Sequence, residues 1–180
     1  MPIDPFFIPI AYAIILLRAN FGLPCVFWAD IYGTLAPPRP RLPPHGGLIV
    51  PRLMLARRLW AYGTEVAYFS DSSNCIGFTR FGHPSQSGGA GLAVVMNTAW
   101  RCDTKRMCVG RCHAGERWTD VLGQVCGEVV VDQTGYGTFS VGPQGVTVWV
   151  NKEAEGRQVV DLFVLSVYLS LISAYSPPLS

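Results

Sequence analysis

Cys108, Cys112 and His113 sit within one short stretch and are residue types that hold zinc, because thiolate and imidazole are good ligands for it. Their spacing argues against a zinc site, since no C-x-x-C pair accompanies them. His113 has no nucleophile, elbow or base arranged around it, so a hydrolase dyad is unsupported as well. Cys102 and Cys126 would suit a disulfide in an oxidising compartment, yet spacing alone does not give their separation. The glycine-rich stretch Gly88–Gly91 neither follows a strand nor opens a helix, as a phosphate loop must, and reads as a hairpin connection. Trp60, Trp100, Trp118 and Trp149 offer faces on which a pyranose could stack, but a small β-domain needs such residues for its core, and core is the favoured reading.

The elements that must position these residues change character along the chain. Asp4 followed by Pro5 reads as a helix start, with the helix running to about Arg18 and closed by Asn20 and Gly22. Its apolar residues surround the axis, so it expects cover on most sides. Leu23 to Trp28 reads as a short buried strand ending in the polar group Asp30 to Tyr32. Pro37 to Gly47 is a proline-rich loop. Ile49, Leu53, Ala56 and Trp60 recur at helical spacing, with Arg52, Arg57 and Arg58 on other faces and Gly63 available as a C-terminal cap.

Beyond Tyr62 the apolar period becomes two. Strands are expected at Cys75–Arg80, Leu92–Asn97, Lys105–Val109, Trp118–Leu122, Glu128–Val131, Gly137–Val141 and Val146–Asn151. The last is clearest: Val146, Val148 and Val150 share one face, and Thr147, Trp149 and Asn151 the other. Such a run of short strands implies an antiparallel sandwich.

Composition narrows the classes. With 180 residues, 49% of them hydrophobic and 14% charged, the chain can bury a core and is too apolar for intrinsic disorder. Fourteen Lys and Arg against twelve Asp and Glu leave a formal charge of +2, with the basic residues dispersed, which gives no argument for nucleic acid. Six cysteines are too few for a disulfide-dense secreted scaffold and suggest reduced thiols, consistent with a cytoplasmic location. The apolar stretch Phe6–Leu17 lacks the basic flank and cleavage site of a signal peptide and is too short to span a membrane.

The assembled segments resemble the C-terminal part of a glycoside hydrolase family 13 α-amylase, of the liquefying bacterial and intracellular fungal type. IAYAIILLR (Ile10–Arg18), PCVFWADIYG (Pro24–Gly33) and AYG (Ala61–Gly63) resemble the last helix, strand and helix of the catalytic barrel. CIGFTR (Cys75–Arg80), GLAVVM (Gly91–Met96), KRMCVGRCHAGE (Lys105–Glu116) and VTVWV (Val146–Val150) resemble the C-terminal β-domain, in the same order. The fold this implies is α+β: the final helix-strand-helix segment of a (β/α)8 barrel over residues 1–62, then an antiparallel Greek-key β-sandwich over 63–152. An apolar tail of unclear origin follows over 153–180. Cys108 and Cys112 fall where the family has ordinary strand or turn residues.

The resemblance implies retaining endo-hydrolysis of α-1,4-glucosidic bonds in starch or glycogen. That chemistry needs nucleophile and acid/base carboxyls about 5 Å apart. In the family these carboxylates, and an Asp that stabilises the transition state, follow the fourth, fifth and seventh barrel strands. None of the three is present here, so the chain alone is expected to be inactive and to need the missing barrel portion. Catalytic groups of barrels come from the C-terminal ends of strands, which makes Trp28, Asp30 and Tyr32 candidate substrate-binding residues; the other reading places Trp28 in the core and Asp30 in a structural pairing. Relatives bind calcium between barrel and β-domain, and the alignment puts Ser73, Asn74 and Asn97 where the bacterial pattern has His, Asp and Asp. Losing two acidic ligands weakens such a site severely, so calcium belongs to the intact family enzyme and is not expected on Asn74 and Asn97 of this chain. The alternative to an enzyme fragment is a non-catalytic module that binds α-glucan or stabilises a partner chain. The resemblance stops at the tail, where Leu162–Tyr175 reads either as a membrane anchor, for which about 14 apolar residues is short, or as the product of a gene-model fault.

Overall fold

The computed structural model describes residues 3–33, 48–160, 162 and 166. The proline-rich loop expected at Pro37–Gly47, and almost all of the apolar run Leu162–Tyr175, lie outside the described residues.

Among the described residues three helices come first: α1 (Phe7–Leu17), α2 (Trp28–Tyr32) and α3 (Ile49–Trp60). The α1 helix begins two residues after Pro5 and has no side-chain cap, so Asp4 contributes its backbone carbonyl, which accepts from Phe7 N at 2.9 Å, in place of its carboxylate. Asn20 and Gly22 follow in the left-handed region at φ 59° and 73°, as the closing signal required. The expected strand at Leu23–Trp28 does not form. Residues 23–27 are irregular and Trp28 opens α2. A strand satisfies its amides only against a neighbour, and no other strand lies beside this segment among the described residues, whereas a helical turn satisfies them locally. Asp30 in the first turn and Gly33, whose N–H donates to Ala29 O at 2.9 Å, suit the ends of α2.

Eight strands follow: β1 (Glu65–Tyr68), β2 (Cys75–Arg80), β3 (Leu92–Asn97), β4 (Asp103–Cys108), β5 (Arg117–Asp120), β6 (Val129–Val130), β7 (Tyr136–Val141) and β8 (Gly145–Asn151). All pairings are antiparallel. Six strands form one sheet in the order β1-β2-β3-β8-β5-β6, and β4 pairs with β7 in a second.

The alternation explains the layering. On β3, Leu92, Val94 and Met96 join Val146, Val148 and Val150 of β8 in one core with Ile10, Leu16, Leu53 and Trp60 of the helices. The opposite faces of the same strands, with Ala93, Val95 and Trp149, pack on Met107, Phe139 and Val141 of the second sheet and on Trp118. The large sheet is therefore covered on both sides, by helices and by the β4-β7 pair. The beginning of the tail joins the helical side, where Ala154 and Val160 are buried.

Candidate functional site

Trp28, Asp30 and Tyr32 are brought together by α2. The Trp28 and Tyr32 rings, one helical turn apart, lie 4.9 Å between centroids at 34°. Trp28 is 64% exposed, which corrects the reading of it as core. Asp30 Oδ2 accepts from Tyr12 Oη at 2.7 Å, and Tyr12 Oη accepts in turn from Phe27 N at 3.0 Å. Tyr12 thus latches α2 to α1, and burial, reinforced by Asp30, pushes its phenol up. The site offers the exposed Trp28 ring against a half-buried Tyr32, beside a carboxylate that already has a structural partner.

The calcium-position residues do not fit a calcium ion. Asn97, fully buried, has Nδ2 donating to the carbonyls of Arg101 at 2.6 Å and Gly142 at 3.0 Å, while its Oδ1 accepts from Ala99 N at 2.9 Å. Every polar atom of that side chain serves the turn after β3. Asn74 uses its backbone carbonyl to accept from Thr98 N at 2.9 Å, and its exposed carboxamide brings no charge.

His113 is buried at the turn before β5. Its Nε2 donates to Phe81 O at 2.9 Å, and Nδ1 lies 3.1 Å from Glu116 Oε2, which also accepts from Trp118 Nε1 at 2.8 Å. Neither ring nitrogen is left for zinc. Among the described residues no group of three or more His, Cys, Asp or Glu is arranged to hold a metal ion. All six cysteines are free, so Cys102 and Cys126 are not bridged.

Several carboxylates are likewise engaged. Asp120 accepts four backbone N–H groups, from Leu122 and Val148 at 3.0 Å, Gln124 at 2.7 Å and Val125 at 3.2 Å. Burial still pushes its carboxyl up, against the pull of those four donors. Lys152 and Arg117 hold Glu128 below the usual carboxylate range, and Lys105 does the same for Asp71.

Two features were not legible beforehand. Trp60, Trp118 and Trp149 are core as expected, but Trp100, grouped with them, is 84% exposed in the turn between β3 and β4. Arg18, Arg57, Arg58 and Arg80, scattered along the sequence, line one cleft at the end of α1. No helix among the described residues is long and apolar enough to cross a membrane.

Residues 92–150 match the family described as "Alpha-amylase C-terminal". The chain is 40% identical over 151 residues to an α-amylase of Geobacillus stearothermophilus, covering 84% of this chain and 26% of that protein. It is 38% identical over 150 residues to a glucan 1,4-alpha-maltohexaosidase of Bacillus sp. (83% and 27%). A protein named cytoplasmic alpha-amylase, from Escherichia coli, is 35% identical over 158 residues (84% and 31%). The chain therefore spans between a quarter and a third of the length of these relatives. Among solved structures, a truncated alternansucrase from Leuconostoc mesenteroides superposes with a TM-score of 0.61 at 14% identity, covering 82% of this chain and 18% of that one. A gamma-CGTase of Bacillus clarkii gives 0.55 at 18% identity, covering 85% and 24%. These two share the fold. The expected resemblance is thereby shown: residues 92–150 match the α-amylase C-terminal family, and more than four fifths of the chain is 35–40% identical to these three relatives.

Proposed function

We propose that the chain is the C-terminal portion of an α-amylase that hydrolyses internal α-1,4-glucosidic bonds of starch or glycogen with retention, and that alone it does not cleave them. The observation that carries this reading is identity of 35–40% over more than four fifths of the chain to enzymes of which it spans less than a third. Residues 1–62 correspond to the end of the catalytic barrel, 63–152 to a Greek-key β-domain and 153–180 to the tail. The neighbouring of β3 and β8 in one sheet, with β4 and β7 in the other, supports the Greek-key assignment. In the whole enzyme, Trp28 and Tyr32 would stack on a pyranose and Asp30 would stand beside them, while calcium would be held by the remainder of the enzyme. The name of the Escherichia coli relative supports a cytoplasmic setting.

Inactivity of this chain follows from its acids. A retaining glycosidase needs two carboxyls about 5 Å apart across the scissile bond, one with its pKa raised. Here Asp30, Glu65, Asp71, Glu116, Asp120, Glu128 and Asp132 are each bonded to a hydroxyl, a cation, an indole N–H or backbone amides. Purified chain incubated with starch is expected to release no new reducing ends; endo-cleavage at any pH between 5 and 8, free of contaminating enzyme, overturns the reading.

One observation favours a second reading. Trp100, exposed to 84% on the β-domain, is a surface on which an α-glucan can stack. Retention on immobilised amylose, lost in Trp100→Ala and kept in Trp28→Ala, would make the domain a glucan-binding module.

A further inference from the structure

The cleft at the end of α1 has a volume of about 390 Å³, and arginine dominates its wall: Arg18 at the helix end, Arg57 and Arg58 in the last turn of α3, and Arg80 at the end of β2. We propose that it binds an oxyanion of the phosphate class, either inorganic phosphate or a phosphoryl group carried on a sugar.

The cleft holds more positive charge than its own structure neutralises. Arg57 Nη1 donates to Leu16 O, and Arg80 Nη1 to Leu17 O at 3.2 Å, so both cap the final carbonyls of α1. Arg80 Nε also donates to Gly63 O at 3.2 Å. Arg18 is fixed by Glu65, with Nε and Nη2 donating to Oε1 at 2.9 and 2.8 Å, and its guanidinium lies 4.8 Å from the centroid of the Phe69 ring. Glu65 is the one carboxylate bonded to any of the four, among the described residues. Burial, with the charge of Arg57 adding to it, pushes the Arg80 guanidinium down, while Glu65 pulls the other way.

Capping explains Arg57 and Arg80, and the ion pair explains Arg18. Neither explains Arg58, whose exposed side chain has no hydrogen-bond or ion-pair partner among the described residues and adds a fourth cation to the same wall. Each guanidinium carries five N–H donors, so one edge can hold a carbonyl while another faces the cleft. Planar guanidinium forks suit phosphoryl oxygens, and a dianion with three or four acceptors satisfies more of them than a single carboxylate. Anchoring by backbone carbonyls also fixes the arginines before a ligand arrives, which lowers the ordering cost of binding. The site is independent of the glucan reading, because inorganic phosphate carries no sugar.

The test is calorimetric titration of the 180-residue chain with inorganic phosphate, at an ionic strength held constant with chloride, and with a phosphorylated maltooligosaccharide in parallel. Saturable phosphate binding is expected, weakened about tenfold or more in Arg58→Gln and lost in Arg58→Glu. Arg111→Gln, an exposed arginine elsewhere, should bind as the parent does. All variants should keep the phosphate-free melting temperature, since Arg58 has no structural bond to lose. Tighter binding of the phosphorylated sugar assigns a sugar-borne phosphoryl group, and equal or weaker binding assigns free phosphate. Absence of saturable binding to either probe, or unchanged binding in both Arg58 variants, overturns the proposal.

Discussion

Cys75 and Cys102 carry the same thiol into opposite surroundings. Cys75 is 1% exposed at the start of β2, and burial, with Asp103 adding to it, pushes its thiol up to about 11. Cys25, Cys102, Cys112 and Cys126 are exposed. The thiolate is the reactive form. A maleimide at pH 8 should therefore label those four within minutes in the native protein and reach Cys75 only after unfolding. Peptide mass spectrometry reads the outcome, and native labelling of Cys75 would show that β2 opens readily. The same scale shows why the candidate site was half legible. Trp28, Asp30 and Tyr32 were picked out by type and place, and α2 does gather them. A structural pairing of Asp30 is one of the two readings the sequence allows, but its partner was hidden, because Tyr12 lies eighteen residues away on another helix. The arginine cleft left no local pattern, since Arg18, Arg57 and Arg80 meet only where two helices and a strand converge.

At the scale of elements, alternation of apolar residues located β2 and β3 to the residue and placed β4 through β8 within a few positions of their ends. It missed β1, four half-exposed edge residues that carry no buried stripe. It also misread Leu23–Trp28, because an apolar run without a period shows that a segment is apolar and leaves open what it pairs with. Leu23 is fully exposed and Phe27 61% exposed in the irregular segment that results. Turn chemistry matters as much as strands here. Gly63 and Gly82 have φ of 78° and 81°, and a Cβ on Gly82 would stand 1.9 Å from Gly89 O, with one on Gly63 the same distance from Gly82 O. These glycines let the chain after α3, the turn after β2 and the loop before β3 pass against one another. Gly82→Ala should destabilise the protein by about 1–3 kcal/mol or more from the left-handed backbone and the overlap together. Denaturant titration measures it, and a change below about 0.5 kcal/mol would mean the turn rearranges freely.

Among the described residues two cores share a wall. Leu53 and Trp60 belong to the helical core, while Trp118, Phe139 and Trp149 belong to the core between the sheets, and β3 and β8 contribute to both. Leu53→Ala should cost about 2–5 kcal/mol as a large-to-small change in a packed site. Because the wall is common, helical circular dichroism and the near-ultraviolet signal of Trp118 and Trp149 should shift together to one lower midpoint. Two separate midpoints would show that the cores unfold independently.

That common wall also constrains descent. A lineage that discarded the helices would bare Leu92, Val94 and Met96 together with Val146, Val148 and Val150 on a single plane of the sheet. No lone replacement could restore a wettable exterior there. The β-rich half is thus bound to its helical cover by six positions that would have to turn polar in concert, and inheritance of the two halves as one piece is the outcome open to gradual change.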